Sequence, residues 1–270
     1  MLGKEMMKMK KAIGIVARIL SVASAFWIVG YMKQSIEQEN MMNALQEMHD
    51  AEETQKEETE QEKEDAEPEK KEEEAASGPE LPAIDPSQDL KKINRDYVGW
   101  IKIEGTKINY PVVQCIQNLW YLDHDFYRNK SPYGTPFLDA NADLKTSQNL
   151  VVYAHNMSDG QMFTDLMQYE DQSFYEEHRF ITFLGKTYEI FAAERVDLFE
   201  DAAIAVAYTG ESYFSQDYFL DFIKEVREKS AIETDVEVNE NDRILSLSTC
   251  TWAHEDERFV VFAKLIEDKK

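Results

Sequence analysis

Cysteine is almost absent from this chain of 270 residues: only Cys115 and Cys250 occur. Two thiols cannot build a disulfide framework, and a single pairing between them would silence either as a nucleophile. Positive charge is scarce too, with 29 Lys and Arg against 53 Asp and Glu, for a formal net charge of −24. That balance excludes nucleic acid as a partner and argues against charge-driven docking on anionic lipid. No CxxC, HExxH, GxGxxG or P-loop pattern is present, so the sequence gives no basis for a zinc, nucleotide or dinucleotide site. Internal repeats are also lacking.

What is there falls into four parts. Residues 1–11 carry Lys4, Lys8, Lys10 and Lys11, and residues 12–32 are apolar apart from Arg18, Ser21 and Ser24. About twenty apolar residues can span the hydrocarbon core as a helix, and the preceding lysines orient the N-terminus to the cytoplasm. Arg18 sits where its side chain can snorkel to the headgroups, and Trp27 and Tyr31 suit the far interface. A cleaved signal peptide is the rival reading, since Ala23-Ser24-Ala25 resembles a cleavage site; the apolar run continues past it to Met32, which favours an anchor. Residues 33–89 form an acidic linker with partial helix near Ile36–Met48, where Met41, Leu45 and Met48 fall at helical spacing. Between Glu47 and Glu80 about sixteen acids face four lysines, a composition that stays solvated and extended.

From residue 90 to residue 270 short β-branched and aromatic runs alternate with turns. Val98–Ile103, Lys107–Gln114, Thr135–Asp139, Asn149–His155 and the hairpin Ile181–Ala192 read as strands. Gly160–Met167 and Ser215–Glu228 read as helices, the second placing Phe219, Phe222, Ile223 and Val226 on one face. Many short strands with few helices predict a mainly β domain, closed or nearly closed as a barrel. Pro111 predicts an edge or a bulge.

The last two strands carry the chemistry. Arg243–Cys250 and Arg258–Ile266 flank a polar connection, and antiparallel pairing across it sets the Cys250 thiol beside the Arg258 guanidinium. A thiol at a strand end near a fixed cation is where a nucleophile belongs, although a lone cysteine in a strand is more often inert core. An attacking thiol also needs a proton acceptor and oxyanion donors. Of five histidines, His155 lies at a comparable strand end and His254 lies four residues past Cys250; spacing alone does not choose between them. His49 falls in the linker.

Ser246-Leu247-Ser248-Thr249-Cys250, followed eight residues later by Arg258, resembles the signature of the sortase family. Tyr153-Ala154-His155-Asn156-Met157, with Gly160, Met162, Phe163, Leu166 and Tyr169, is similar to the class B histidine segment. Val98–Ile101, Tyr110–Gln114 and Tyr121–Phe126 add class B-like segments in the same order. The chain departs by Ala154 where the family commonly has Gly and by Ser246 where it has Thr.

The resemblance implies a sortase-type barrel and a membrane-anchored, extracellular cysteine transpeptidase of a Gram-positive cell wall. Carried over by position, Cys250 is the nucleophile, His155 the acid and base, and Arg258 the holder of substrate and oxyanion. The Thr251 N–H assists that last role, and Ser248 and Thr249 neighbour the substrate. Substrates would be secreted proteins bearing sorting signals of the LPxTG or NPxTx kind, and the acceptor an amine of a peptidoglycan precursor; no cofactor is implied. Three other readings stay open: a pilin polymerase, a catalytically silent tethered binding module, and a simple hydrolase in which water resolves the thioacyl intermediate. Asp85-Pro86 is followed by Ser87 rather than an aromatic residue, and no second apolar span closes the chain, which weighs against the first.

Overall fold

A computed structural model describes Ser24 and residues 27–55, 89–201, 216–254 and 256–268. Residues 1–11, most of the anchor placed at 12–32, and the acidic run from 56 onward lie outside the described residues. Among the described residues no helix is long and apolar enough to cross a membrane. The chain divides into a unit of Met1–Asn43 and a unit of Ala44–Lys270.

The first element is a continuous helix, α1, over 27–55, longer than the partial helix its Met and Leu spacing predicts. Its end belongs to the second unit. Leu45 and Met48 are buried, the His49 ring stacks on Trp100 at 4.4 Å, and the Glu52 carboxylate accepts the Leu90 backbone N–H at 2.6 Å. Each apolar side chain so covered contributes about 1.5–3 kcal/mol. Leu45, Met48, His49 and Glu52 thus belong to the second unit although they precede residue 90. His49 is part of the packing.

Behind α2 (Leu90–Ile93), eight strands close a barrel: β1 (Tyr97–Lys102), β2 (Asn109–Val113), β3 (Phe137–Leu138), β4 (Asn149–Tyr153), β5 (Phe180–Phe183), β6 (Lys186–Asp197), β7 (Ile244–Cys250) and β8 (Glu257–Asp268). The order around the barrel is β1-β2-β3-β4-β7-β8-β6-β5. β2–β3 and β4–β7 are parallel; the other pairs are antiparallel. Closure leaves no long unpaired edge. Pro111 sits within β2 opposite Trp100, and β3 pairs with β2 only at Val113, so no ladder bond is lost on that side. The irregularity lies across from it, in β1 between Tyr97 and Gly99.

β7 and β8 are buried on both faces. Val260 and Phe262 meet the apolar stripe of the helix Gln216–Lys229 (α4; α3 is Gln172–Glu177), with Phe222 edge-on to Phe262 at 5.8 Å. By strand alternation, Phe259, Val261 and Ala263 point the other way, into the barrel, and are equally buried. The β5–β6 hairpin turns on Leu184 and Gly185, both at positive φ, as a tight two-residue loop requires. The helix expected over Gly160–Met167 starts later, as a 3-10 helix over Thr164–Glu170. Gly160 (φ 80°) and Met162 (φ 57°) are left-handed and cannot continue a right-handed turn.

Candidate active site

Parallel pairing of β4 with β7 brings two distant stretches to one end of the barrel. Tyr153 pairs with Ser248, the Ala154 N–H then donates to the Ser248 carbonyl at 3.2 Å, and the Thr249 hydroxyl donates to the Ala154 carbonyl at 2.8 Å. His155 lies just past the end of β4, and Cys250 is the last residue of β7. In the antiparallel β7–β8 pair, Cys250 is directly opposite Arg258, as the sequence predicts. The Asn156 side chain donates to the Cys250 carbonyl at 3.0 Å, so the residue after the histidine holds the residue that bears the thiol. Ala154 has no positive φ, which explains why a methyl group is accommodated where a glycine is common.

A cleft of about 310 Å³ opens at this end. His155, Cys250 and Arg258 line it together with Ser248, Leu122 and Leu198. Cys250 is exposed and Cys115 is also a free thiol, so no disulfide ties up the Cys250 sulfur. The His155 Nε2 lies 2.7 Å from the Leu122 carbonyl. A carbonyl can only accept, so it fixes the proton on Nε2 and leaves Nδ1 as the basic nitrogen of the neutral ring.

Both candidate oxyanion donors rest on one acceptor. The Arg258 Nη1 donates to the Glu257 carbonyl at 3.0 Å, and the Thr251 N–H donates to the same carbonyl at 3.3 Å. The Glu257 side chain is itself held by Arg195 at 2.6 Å. An oxyanion arriving between Thr251 and Arg258 has to replace a neutral carbonyl. That exchange is favourable, because charge-assisted hydrogen bonds are roughly twice as strong as neutral ones.

The residues expected from sequence are not equal in this setting. His155 lines the cleft, whereas His254 is exposed on the β7–β8 connection and does not. Ser248 and Thr249 line the cleft but are buried, and the Thr249 hydroxyl is committed to the strand tie. Thr251 is not among the lining residues. Sequence reasoning missed Asn118, Asp139 and Tyr153, which form a polar part of the wall. Tyr153 was within reach of a strand-end argument, being two residues before His155. Asn118 and Asp139 lie in irregular segments without periodicity. His124 stacks on Trp120 at 3.6 Å and His178 bonds the Glu104 carbonyl at 2.9 Å, both structural roles.

Residues 101–266 match the model of the sortase domain family, well over half of the chain. The chain belongs to the sortase family. Among curated relatives, sortase B of Staphylococcus aureus is 38% identical over 187 residues, spanning 67% of this chain and 74% of that protein. Among solved structures, a Staphylococcus aureus sortase B–substrate complex shares 38% identity with a TM-score of 0.60, covering 66% of this chain and 83% of that one. A cysteine-to-serine mutant form of Clostridium perfringens sortase B shares 35% identity with a TM-score of 0.61, covering 66% and 85%. This sortase is thus a class B-like cysteine transpeptidase, with the closed barrel and few helices of the solved sortase B structures.

Proposed function

We propose that this sortase cleaves a C-terminal sorting signal after threonine and transfers the new carboxyl end of the secreted protein to an amine of a peptidoglycan precursor. The observation that carries the reading is the joint placement of Cys250, Arg258 and His155 around one open cleft, with the thiol free. The Cys250 thiol gives its proton to His155 as the sulfur attacks the threonine carbonyl, and the developing oxyanion takes the Arg258 guanidinium and the Thr251 N–H from the Glu257 carbonyl. The C–N bond breaks as the leaving amine receives a proton from His155, leaving a thioester on Cys250. The incoming amine attacks the thioester and gives a proton to His155, which passes it to the departing sulfur, so the thiol and the neutral imidazole are restored. Charge balance closes over the cycle without a cofactor.

The reading further places residues 12–32 as a single-pass membrane anchor with residues 1–11 in the cytoplasm, the acidic segment as a tether, and the barrel outside. The four N-terminal lysines before the apolar run support this orientation. Signals of the LPxTG and NPxTx kinds are the candidate donors that the resemblance to the sortase family implies. The test is incubation of the full chain in detergent with peptides of both kinds, with and without a cross-bridge-like amine, followed by mass spectrometry. A thioester on Cys250 that passes to the amine is expected, and Cys250→Ala abolishes it. Products released only by water, at equal rate with and without amine, refute transfer.

A further inference from the structure

One side chain beside the reacting groups has no part in the cycle and yet touches the nucleophile's own backbone. β4 ends at Tyr153, in register with Ser248 of the parallel strand β7, and the Ala154 N–H still donates to the Ser248 carbonyl at 3.2 Å. The next rung of a parallel ladder would run from the backbone N–H of Asn156 to the Cys250 carbonyl. Here the backbone has already turned away: the His155 carbonyl accepts the Phe163 N–H at 2.9 Å, and Asn156 pairs with Met162 in an isolated antiparallel bridge. The Asn156 side chain makes the rung instead, its Nδ2 donating to the Cys250 carbonyl at 3.0 Å.

The orientation of that amide is fixed by chemistry, since a carbonyl only accepts and has to face the NH2 group. The Asn156 Oδ1 is buried and has no hydrogen-bond partner among the described residues, so the bond to Cys250 is what holds the side chain. Its effect reaches past the carbonyl. The Cys250–Thr251 peptide is planar and trans, so the Cys250 C=O and the Thr251 N–H point in opposite directions and turn together. Asn156 grips one side of the plane; on the other, the Thr251 N–H rests on the Glu257 carbonyl at 3.3 Å. In the proposed cycle the oxyanion takes that N–H from Glu257, which releases the second hold. Of these two bonds, the one from Asn156 then remains to keep the plane in place while the sulfur adds.

We propose that Asn156 is a positioning residue for the oxyanion site: by holding the Cys250 carbonyl it fixes the tilt of the Cys250–Thr251 peptide plane and so aims the Thr251 N–H at the oxygen that gains charge. The inference rests on the transpeptidase reading above. An asparagine suits this place, because the backbone leaves the ladder where His155 enters the cleft, and a short side-chain amide spans the rung that the departing backbone drops.

The test uses the full chain in detergent and two variants: Asn156→Ala, which removes the donor, and Asn156→Asp, which keeps the shape but sets an acceptor against the Cys250 carbonyl. Acylation of Cys250 by LPxTG and NPxTx peptides is followed by single-turnover mass spectrometry. Both variants acylate about 10- to 100-fold more slowly, less than the roughly 10²–10³-fold loss from deleting an oxyanion donor outright. In steady state the loss falls on kcat, with KM within about twofold of the parent. A thioester analogue of the peptide, whose thiolate leaving group needs no proton from His155, shows a fall of similar size. Alkylation of Cys250 by iodoacetamide, in which sulfur displaces iodide and no oxyanion forms, stays within about twofold of the parent across the pH range. Peptide mapping separates that adduct from one on Cys115.

Acylation within about twofold of the parent in both variants overturns the proposal. An equal fall in alkylation overturns it too, by putting Asn156 on the thiol itself. A fall seen with the peptide but not with the thioester does the same, by putting Asn156 on His155. If Asn156→Ala does not fold, the isosteric Asn156→Asp carries the same comparison. A parent chain that forms no thioester removes the transpeptidase reading, and this inference with it.

Discussion

Glu194 gives this sortase a stability that should fall as pH rises, opposite to the usual behaviour of carboxylates. The residue sits in β6 opposite Val260 of β8, 1% exposed, and neither carboxylate oxygen has a hydrogen-bond partner among the described residues. Burial pushes its carboxyl up to about 8 from an ordinary 4.5; the Lys229 ammonium pulls it down, and the Asp201 and Glu225 charges push it up. Lys229 gives little relief, because it is engaged by Asp201 at 2.5 Å and Glu225 at 3.1 Å. In the folded chain Glu194 thus keeps its proton to about pH 8, whereas the unfolded chain releases it near 4.5. Between those values the native state binds more protons than the unfolded one, so stability declines with rising pH by about 1.4 kcal/mol per unit from this group. The decline begins above pH 4.5, ends near pH 8, and totals on the order of 3–5 kcal/mol if the site stays dry. Glu194→Gln keeps the shape and removes the titration. Denaturant unfolding of both chains at pH 5, 6, 7, 8 and 9 reads the difference directly. The two should agree to within about 1 kcal/mol at pH 5. The advantage of the Gln variant should widen by about 1.4 kcal/mol per unit to near pH 8 and then level off. Parallel stability curves across that range refute the account.

Three further outcomes follow from the site and its supports. His155→Ala should lower the rate of thioester formation by about 10²–10⁴-fold, whereas His254→Ala should stay within about twofold; single-turnover mass spectrometry decides, and the reverse order would assign the base to His254. Arg258→Lys should lose about 10²–10³-fold in kcat, since an ammonium cannot replace a planar fork of donors beside the Glu257 carbonyl. His49→Ala should cost about 0.5–1.5 kcal/mol of unfolding free energy through the lost Trp100 stack, with kcat unchanged; a thermal melt beside a kinetic assay checks both.

The barrel was legible because its strands obey local rules. β7 and β8 are β-branched and apolar, the loop between them is polar, and antiparallel pairing alone placed Cys250 across from Arg258. What local rules could not supply was the choice between His155 and His254. Spacing favours neither, and it is the parallel β4–β7 ladder, a pairing between segments nearly a hundred residues apart, that brings His155 to the cleft beside Cys250. The end of α1 was hard to read for a different reason. Its charge run looks solvated, and only the buried face of Leu45 and Met48 and the ring of His49 show that part of it is core. Asn118 and Asp139 carry no pattern at all; irregular loops take their meaning from the partners that folding gives them.

The same ladder explains why the resting site is assembled but not fully armed. The thiol, the histidine and the arginine are brought together by strand register and by the Asn156 and Thr249 ties, none of which needs substrate. The oxyanion donors of the proposed cycle are different, since Thr251 and Arg258 both donate to the Glu257 carbonyl. Leaving two such donors unpaired would cost about 1–3 kcal/mol each, so a neutral acceptor in waiting lowers the cost of the empty cleft. The substrate carbonyl is no better an acceptor than Glu257 until the sulfur adds to it. Once the oxygen carries charge it competes successfully, so the donors transfer most strongly as the bond to Cys250 forms. Stabilisation that grows only with the developing charge lowers the barrier rather than the ground state, which is the requirement for raising kcat.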